Sequence, residues 1–84
     1  MRLKSVELKT IEDLEYVVQK SIDNKASLGL FIEMPDFPMP ELITNPVANL
    51  EKKLEYWKKT YDKKLEHKHA KGIKIVGYTI DLSV

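Results

Sequence analysis

All four prolines of this chain fall between positions 35 and 46, in the stretch PDFPMPELITNP. Proline fixes φ and lacks a backbone N–H, so neither a helix nor a central strand is expected to run through such a cluster. The chain therefore divides into an N-terminal and a C-terminal segment joined by a proline-rich connection over 35–46. With 84 residues in all, the two segments must share one core, because a chain this short buries only about 60–65% of the surface it exposes when unfolded.

Before the connection, Leu3, Val6 and Leu8 alternate weakly with polar residues from Arg2 to Lys9, the pattern of a strand with one buried face. Thr10 precedes Ile11-Glu12-Asp13, an arrangement that supplies a helix N-cap, with Asp13 in the reciprocal position of a capping box. Ile11, Leu14, Val17, Val18 and Ile22 then recur at helical spacing and predict an amphipathic helix to about Asn24. Ser27 to Met34 follows as an apolar strand, with Leu28, Leu30, Ile32 and Met34 on one face and Gly29, Phe31 and Glu33 on the other.

Beyond the connection, Asn45-Pro46 reads as an N-cap followed by the favoured first-turn proline. The stripe Val47, Leu50, Leu54, Trp57, Tyr61 and Leu65 falls within an arc of about 80° at helical spacing. It predicts a second helix running to about His69, with Gly72 as a terminating residue. Lys74 to Val84 alternates, placing Val76, Tyr78, Ile80 and Leu82 on one face and Gly77, Thr79, Asp81 and Ser83 on the other. Ile73 and Ile75 precede it as an additional apolar pair.

The expected fold is a single α+β domain over residues 1–84, in the order β-α-β-α-β: a three-stranded sheet with two helices packed on one face. Strands separated by helices are expected to run parallel through right-handed crossovers. The other sheet face would be left open to water or to a second subunit.

Apolar residues make up 43% of the chain and charged residues 32%, an ordinary globular balance. There is no cysteine, which suits a reducing compartment. Neither a signal-peptide core nor a membrane-length apolar run is legible, so a cytoplasmic location is expected. The net charge of +1 is unevenly spread: residues 1–44 carry five basic and eight acidic groups, whereas residues 45–71 carry eight lysines and four acids.

No catalytic constellation can be assembled, and no cofactor is implied. His67 and His69, two apart on a helix, would diverge by about 200° and could not chelate one ion together unless the helix has already ended there; solvated residues near a helix C-terminus are the plainer reading. The glycines Gly29, Gly72 and Gly77 stand singly, without a phosphate cradle. Glu33 beside Phe31 is the one carboxylate with an apolar neighbour worth naming, and a solvated strand-edge glutamate is the plainer reading.

The second helix carries the most informative surface. If it stays regular, Lys52, Lys53, Tyr56, Lys59, Lys63, Lys64, His67 and Lys71 line one flank, and Glu51, Glu55, Asp62 and Glu66 the other. A lysine row with one aromatic suits an acidic protein surface or a nucleic-acid backbone, although lysines also commonly do no more than solvate a helix face. Arg2 is the only arginine, which weighs against nucleic acid.

The connection contributes Phe37 and Met39 between prolines, and Pro35 to Pro38 matches P-x-x-P. Tucking under the sheet edge is the plainer expectation for this loop; if exposed, Phe37 and Met39 become the first candidates for a partner-contact patch. Tyr16 falls on the solvent side of the first helix, and Trp57 belongs to the core stripe.

The candidate contact residues are thus Phe37, Met39, Lys52, Tyr56, Lys59 and Lys63. The corresponding function is a non-enzymatic protein-interaction or small regulatory module, its partner another protein or a second copy of this chain, with no membrane partner. Nucleic-acid binding through the lysine flank is the alternative.

The run Glu41-Leu42-Ile43-Thr44-Asn45-Pro46, with Asn49, Leu54-Glu55-Tyr56-Trp57 and Tyr61, resembles short proteins of Gram-positive bacteria and their phages. The likeness covers about the second half of the chain. It implies a small accessory protein of a bacterial cytoplasm, and neither an activity nor a site.

Overall fold

The computed structural model describes residues 6–81; the strand expectations for residues 2–5 and 82–84 lie outside them. The elements are β1 (Val6–Glu7), α1 (Ile11–Asp23), β2 (Ser27–Glu33), β3 (Glu41–Asn45), a short 3-10 turn (Val47–Asn49), α2 (Leu50–Thr60) and β4 (Lys74–Asp81). The domain is α+β, with four strands rather than three, in the order β1-β4-β2-β3. Every neighbouring pair is antiparallel, which replaces the expected parallel crossovers.

The physical reason lies in the proline-rich stretch. Pro40 and Pro46 stand immediately outside β3 and leave Glu41 to Asn45 free of proline, so the ladder with β2 loses no donor. Residues 34–40 form the hairpin connection, and β3 becomes an edge strand. The chain then returns over one sheet face as α2 and lays β4 between β1 and β2, antiparallel to both.

Thr10 caps α1 as its sequence requires. Its Oγ1 accepts from the Asp13 N–H at 3.2 Å, and the Asp13 carboxylate accepts from the Thr10 N–H at 3.2 Å. Leu14, Val17 and Val18 of α1, Leu50 and Trp57 of α2, and Leu28, Leu30 and Ile32 of β2 belong to one buried cluster. Both helices therefore lie on the same face of the sheet.

A β-bulge changes the reading of β4. Phe31 pairs with Gly77 while Ile32 pairs with Ile75, so Val76 is the extra residue. The alternation shifts there, and fully buried Ile75 joins the core together with partly buried Tyr78, Ile80 and Ile73. The opposite sheet face is less wet than its sequence suggests: Thr79 is buried, and a Cβ at Gly29 would meet Leu42 Cδ1 at 2.9 Å and Thr79 Cγ2 at 3.0 Å.

The second helix ends at Thr60, well short of His69. The Asp62 carboxylate accepts from the N–H groups of Lys64 (2.9 Å) and Glu66 (3.0 Å), which a continuing helix would direct at backbone carbonyls. Asp62 N–H then donates to the Glu66 carbonyl, and Tyr61 faces His67 in an antiparallel bridge. The result is a tight hairpin-like turn whose last residue, Leu65, has φ +64 and a fully buried side chain. Tyr61 and Leu65 thus reach the core, as their spacing implies, but by a different backbone route. Gly72, with φ +89, serves the turn from Ala70 to Ile73 ahead of β4, not a helix end.

Asn45 closes β3 instead of capping a helix as its sequence predicts: its buried amide nitrogen donates to the carbonyls of Leu28 (3.3 Å) and Ile43 (3.2 Å). Pro46 lies ahead of the 3-10 turn, one turn before α2 proper.

Candidate functional site

The shift of β3 to the sheet edge creates a concavity that the sequence does not announce. On the helix-facing side, Ile43 lies beside Leu30, its register partner. Leu30 is covered, but Ile43 remains 39% exposed. Between this edge and α2 runs a groove of about 300 Å³. Its floor is Leu30, Ile32 and Ile43; its wall is Tyr56, Trp57 and Tyr61; and His67 and Ile73 close one end.

Lys53 and Tyr56 stand at the rim and also border a shallow depression with Asn49 and Lys52. Lys53 Nζ lies 5.8 Å from the centre of the Tyr56 ring, within cation–π range. Tyr56 is 53% exposed. No carboxylate lines either concavity among the described residues. Away from the groove, α2 meets α1 through a lysine, where Lys58 Nζ approaches the Glu15 carboxylate at 3.7 Å. Of the basic flank read from the sequence, Lys52 and Lys53 are the lysines that line these concavities.

The polar groups of the groove are held by their surroundings. His67 Nδ1 accepts from the N–H groups of His69 (3.0 Å) and Ala70 (2.9 Å). That nitrogen carries no proton in this arrangement, so the ring is a donor through Nε2. With Nδ1 engaged inside its own turn, His67 and His69 do not form a paired chelating site, although their ring centres are 6.2 Å apart. The His67 ring meets the Tyr61 ring edge-on at 5.2 Å. Burial, and secondarily neighbouring Tyr56, holds the Tyr61 phenol above its usual value of 10.0.

The structure divides the six sequence-derived candidates. Lys52 and Tyr56 come together at the concave surface with Lys53. Lys59 is exposed on α2 but lines neither concavity. Lys63 has left the helical row: it lies in the turn after α2, and its carbonyl accepts from the first N–H of α1 at 2.9 Å. With Lys64, His67 and Lys71 also beyond the helix end, the long lysine row does not form.

Phe37 and Met39 are 59% and 74% exposed at the tip of the β2–β3 hairpin, so the loop does not tuck under the sheet edge. They line neither concavity. Ile43, Asn45 and Tyr61 are groove residues that sequence reasoning did not place at a contact surface, and His67 reaches the groove from the turn after α2 and not from the helical flank assigned to it. The one legible signal was Leu42-Ile43-Thr44, a strand-forming run lying between prolines rather than containing one.

No helix among the described residues is long and apolar enough to cross a membrane. No protein-family model, curated protein or solved structure matches the chain, and the geometry of the groove alone carries the functional reading.

Proposed function

We propose that this protein is a non-enzymatic protein-interaction module that receives an acidic partner segment, anchored by an apolar side chain, in the groove between β3 and α2. The observation that carries this reading is the juxtaposition of half-exposed Tyr56 and Ile43 with the rim lysines over a concavity lined by no carboxylate. Tyrosine at the edge of an apolar pocket is a common energetic anchor of interfaces. Lysines at a rim orient a charged partner more than they hold it. The cysteine-free composition supports a reducing cytoplasm as the compartment in which the module works.

The test is an NMR titration with a short synthetic peptide in which one leucine is flanked by glutamates. Shifts should concentrate at Ile43, Lys52, Lys53, Tyr56 and His67, and Tyr56→Ala should weaken binding about tenfold, the loss typical of an interface anchor. A peptide with lysine in place of glutamate should leave the same signals unmoved. The proposal fails if both peptides are inert. A single-stranded oligonucleotide that moves these signals instead, with affinity falling steeply with salt, would transfer the site to nucleic acid. The break-up of the lysine row beyond Thr60 favours the protein reading.

A further inference from the structure

Two strands border the sheet, and of these β1 is described over only two residues, whereas β3 presents five. Edge strands usually carry a lysine, a bulge or an internal proline against pairing with another chain. From Glu41 to Asn45 β3 carries none of these: its single charge is Glu41, and its pairing with β2 runs without a register shift. Prolines occur only at its two ends, and they are equidistant from Ile43, three positions before it at Pro40 and three after it at Pro46.

We propose that a second copy of this chain pairs with that edge, β3 against β3, antiparallel across a two-fold axis at Ile43, joining the two sheets into one. The inference rests on the reading of the β3–α2 groove as a contact surface and names its first occupant.

In this register each proline of one copy stands opposite a proline of the other, so the residues without an N–H coincide and the ladder ends cleanly on both sides. Ile43 meets Ile43 on the helix-facing side, covering the isoleucine that the monomer leaves exposed. Leu42 meets Thr44 on the opposite face. Glu41 meets Asn45, and both project to the helix-facing side, because their β2 partners are Ile32 and Leu28. Asn45 lines the groove together with Lys53, so each copy delivers a carboxylate toward a basic rim that lacks one. The two-fold repeats that contact, and no like charges oppose each other along the strand. A foreign acidic strand would also satisfy the lysines, but the symmetric proline bracket is a feature that only a second copy matches.

A five-residue edge with one isoleucine pair falls below the roughly 1,200 Å² of a standard interface. The dimer should therefore be weak, with a dissociation constant on the order of 100 μM. Sedimentation equilibrium of the full chain, from about 10 μM to about 2 mM and so bracketing that constant, tests the proposal in four proteins: wild type, Glu41→Lys, Lys53→Glu and the double variant. Both residues are exposed, and circular dichroism checks that each variant keeps the fold.

Wild type should reach a monomer–dimer equilibrium, and each single reversal should weaken it roughly three- to tenfold, because one weak ion pair is lost twice. The double variant should recover the wild-type constant. A wild type that stays monomeric throughout, a dimer indifferent to both single reversals, or a double variant no better than the singles would each overturn the proposal. A monomer that still binds the glutamate peptide overturns the dimer and leaves the interaction module standing. A dimer that ignores the peptide does the reverse.

Discussion

Leu65 holds a backbone conformation, φ +64, that costs a residue bearing a Cβ about 1–2 kcal/mol. The chain tolerates it because the side chain is wholly buried, and the loss on truncating a core leucine is about 2–5 kcal/mol. The two contributions are separable. Leu65→Ala loses the burial and keeps the strain, whereas Leu65→Gly loses the burial and relieves the strain. Urea unfolding should find both variants destabilised, with glycine more stable than alanine by about 1 kcal/mol, the reverse of their order in an ordinary helix or strand. A second residue-level consequence concerns Tyr61, whose phenol is raised above 10.0, by burial first and then by Tyr56. A group raised in the folded state contributes stability that is fully present below its unfolded value near 10 and is lost as pH rises through the folded value. The thermal unfolding midpoint should therefore fall from about pH 10 upward, and Tyr61→Phe should flatten that alkaline limb while leaving neutral stability nearly unchanged.

Elements were legible where local chemistry and tertiary need agree. Thr10 and Asp13 specify the start of α1 through bonds made within their own turn, so their pattern could be read without knowledge of the fold. The end of α2 is different. Tyr61 and Leu65 continue a helical spacing and do reach the core, yet Asp62 diverts two N–H groups from the helix ladder and the chain turns instead. Periodicity reports which residues are buried, and several backbone routes can bury the same residues. β3 was hidden for a related reason: prolines mark where a strand must stop, and a high local density of them masks a five-residue strand between two stops. The groove was beyond sequence reasoning because it exists only through the placement of β3 next to β2, and so of Ile43 next to Leu30, a choice of partner that no single segment encodes. Of the candidate residues, Tyr56 and Lys52 were accessible because they lie on the regular part of α2. Lys63 was misplaced because it lies past the break.

The whole molecule is built around its fourth strand. β4 contacts β1 on one side and β2 on the other, and β1 has no other neighbour in the sheet. Ile75 is fully buried, and its N–H donates to the Leu65 carbonyl at 2.9 Å, which ties the turn after α2 to the centre of the sheet. A fragment of residues 1–70 should accordingly show no cooperative thermal transition, although its helical segments remain intact as sequence. Addition of a synthetic peptide spanning residues 71–84 in excess should restore a cooperative transition, read by circular dichroism. For a polypeptide emerging from the ribosome N-terminus first, this architecture postpones tertiary commitment: the β2–β3 hairpin can close early, but the slot beside it stays vacant until the tract around Ile75 is synthesised. During that interval the border of β2 that the finished sheet seals lies open, and it is then that a chaperone would find most to hold.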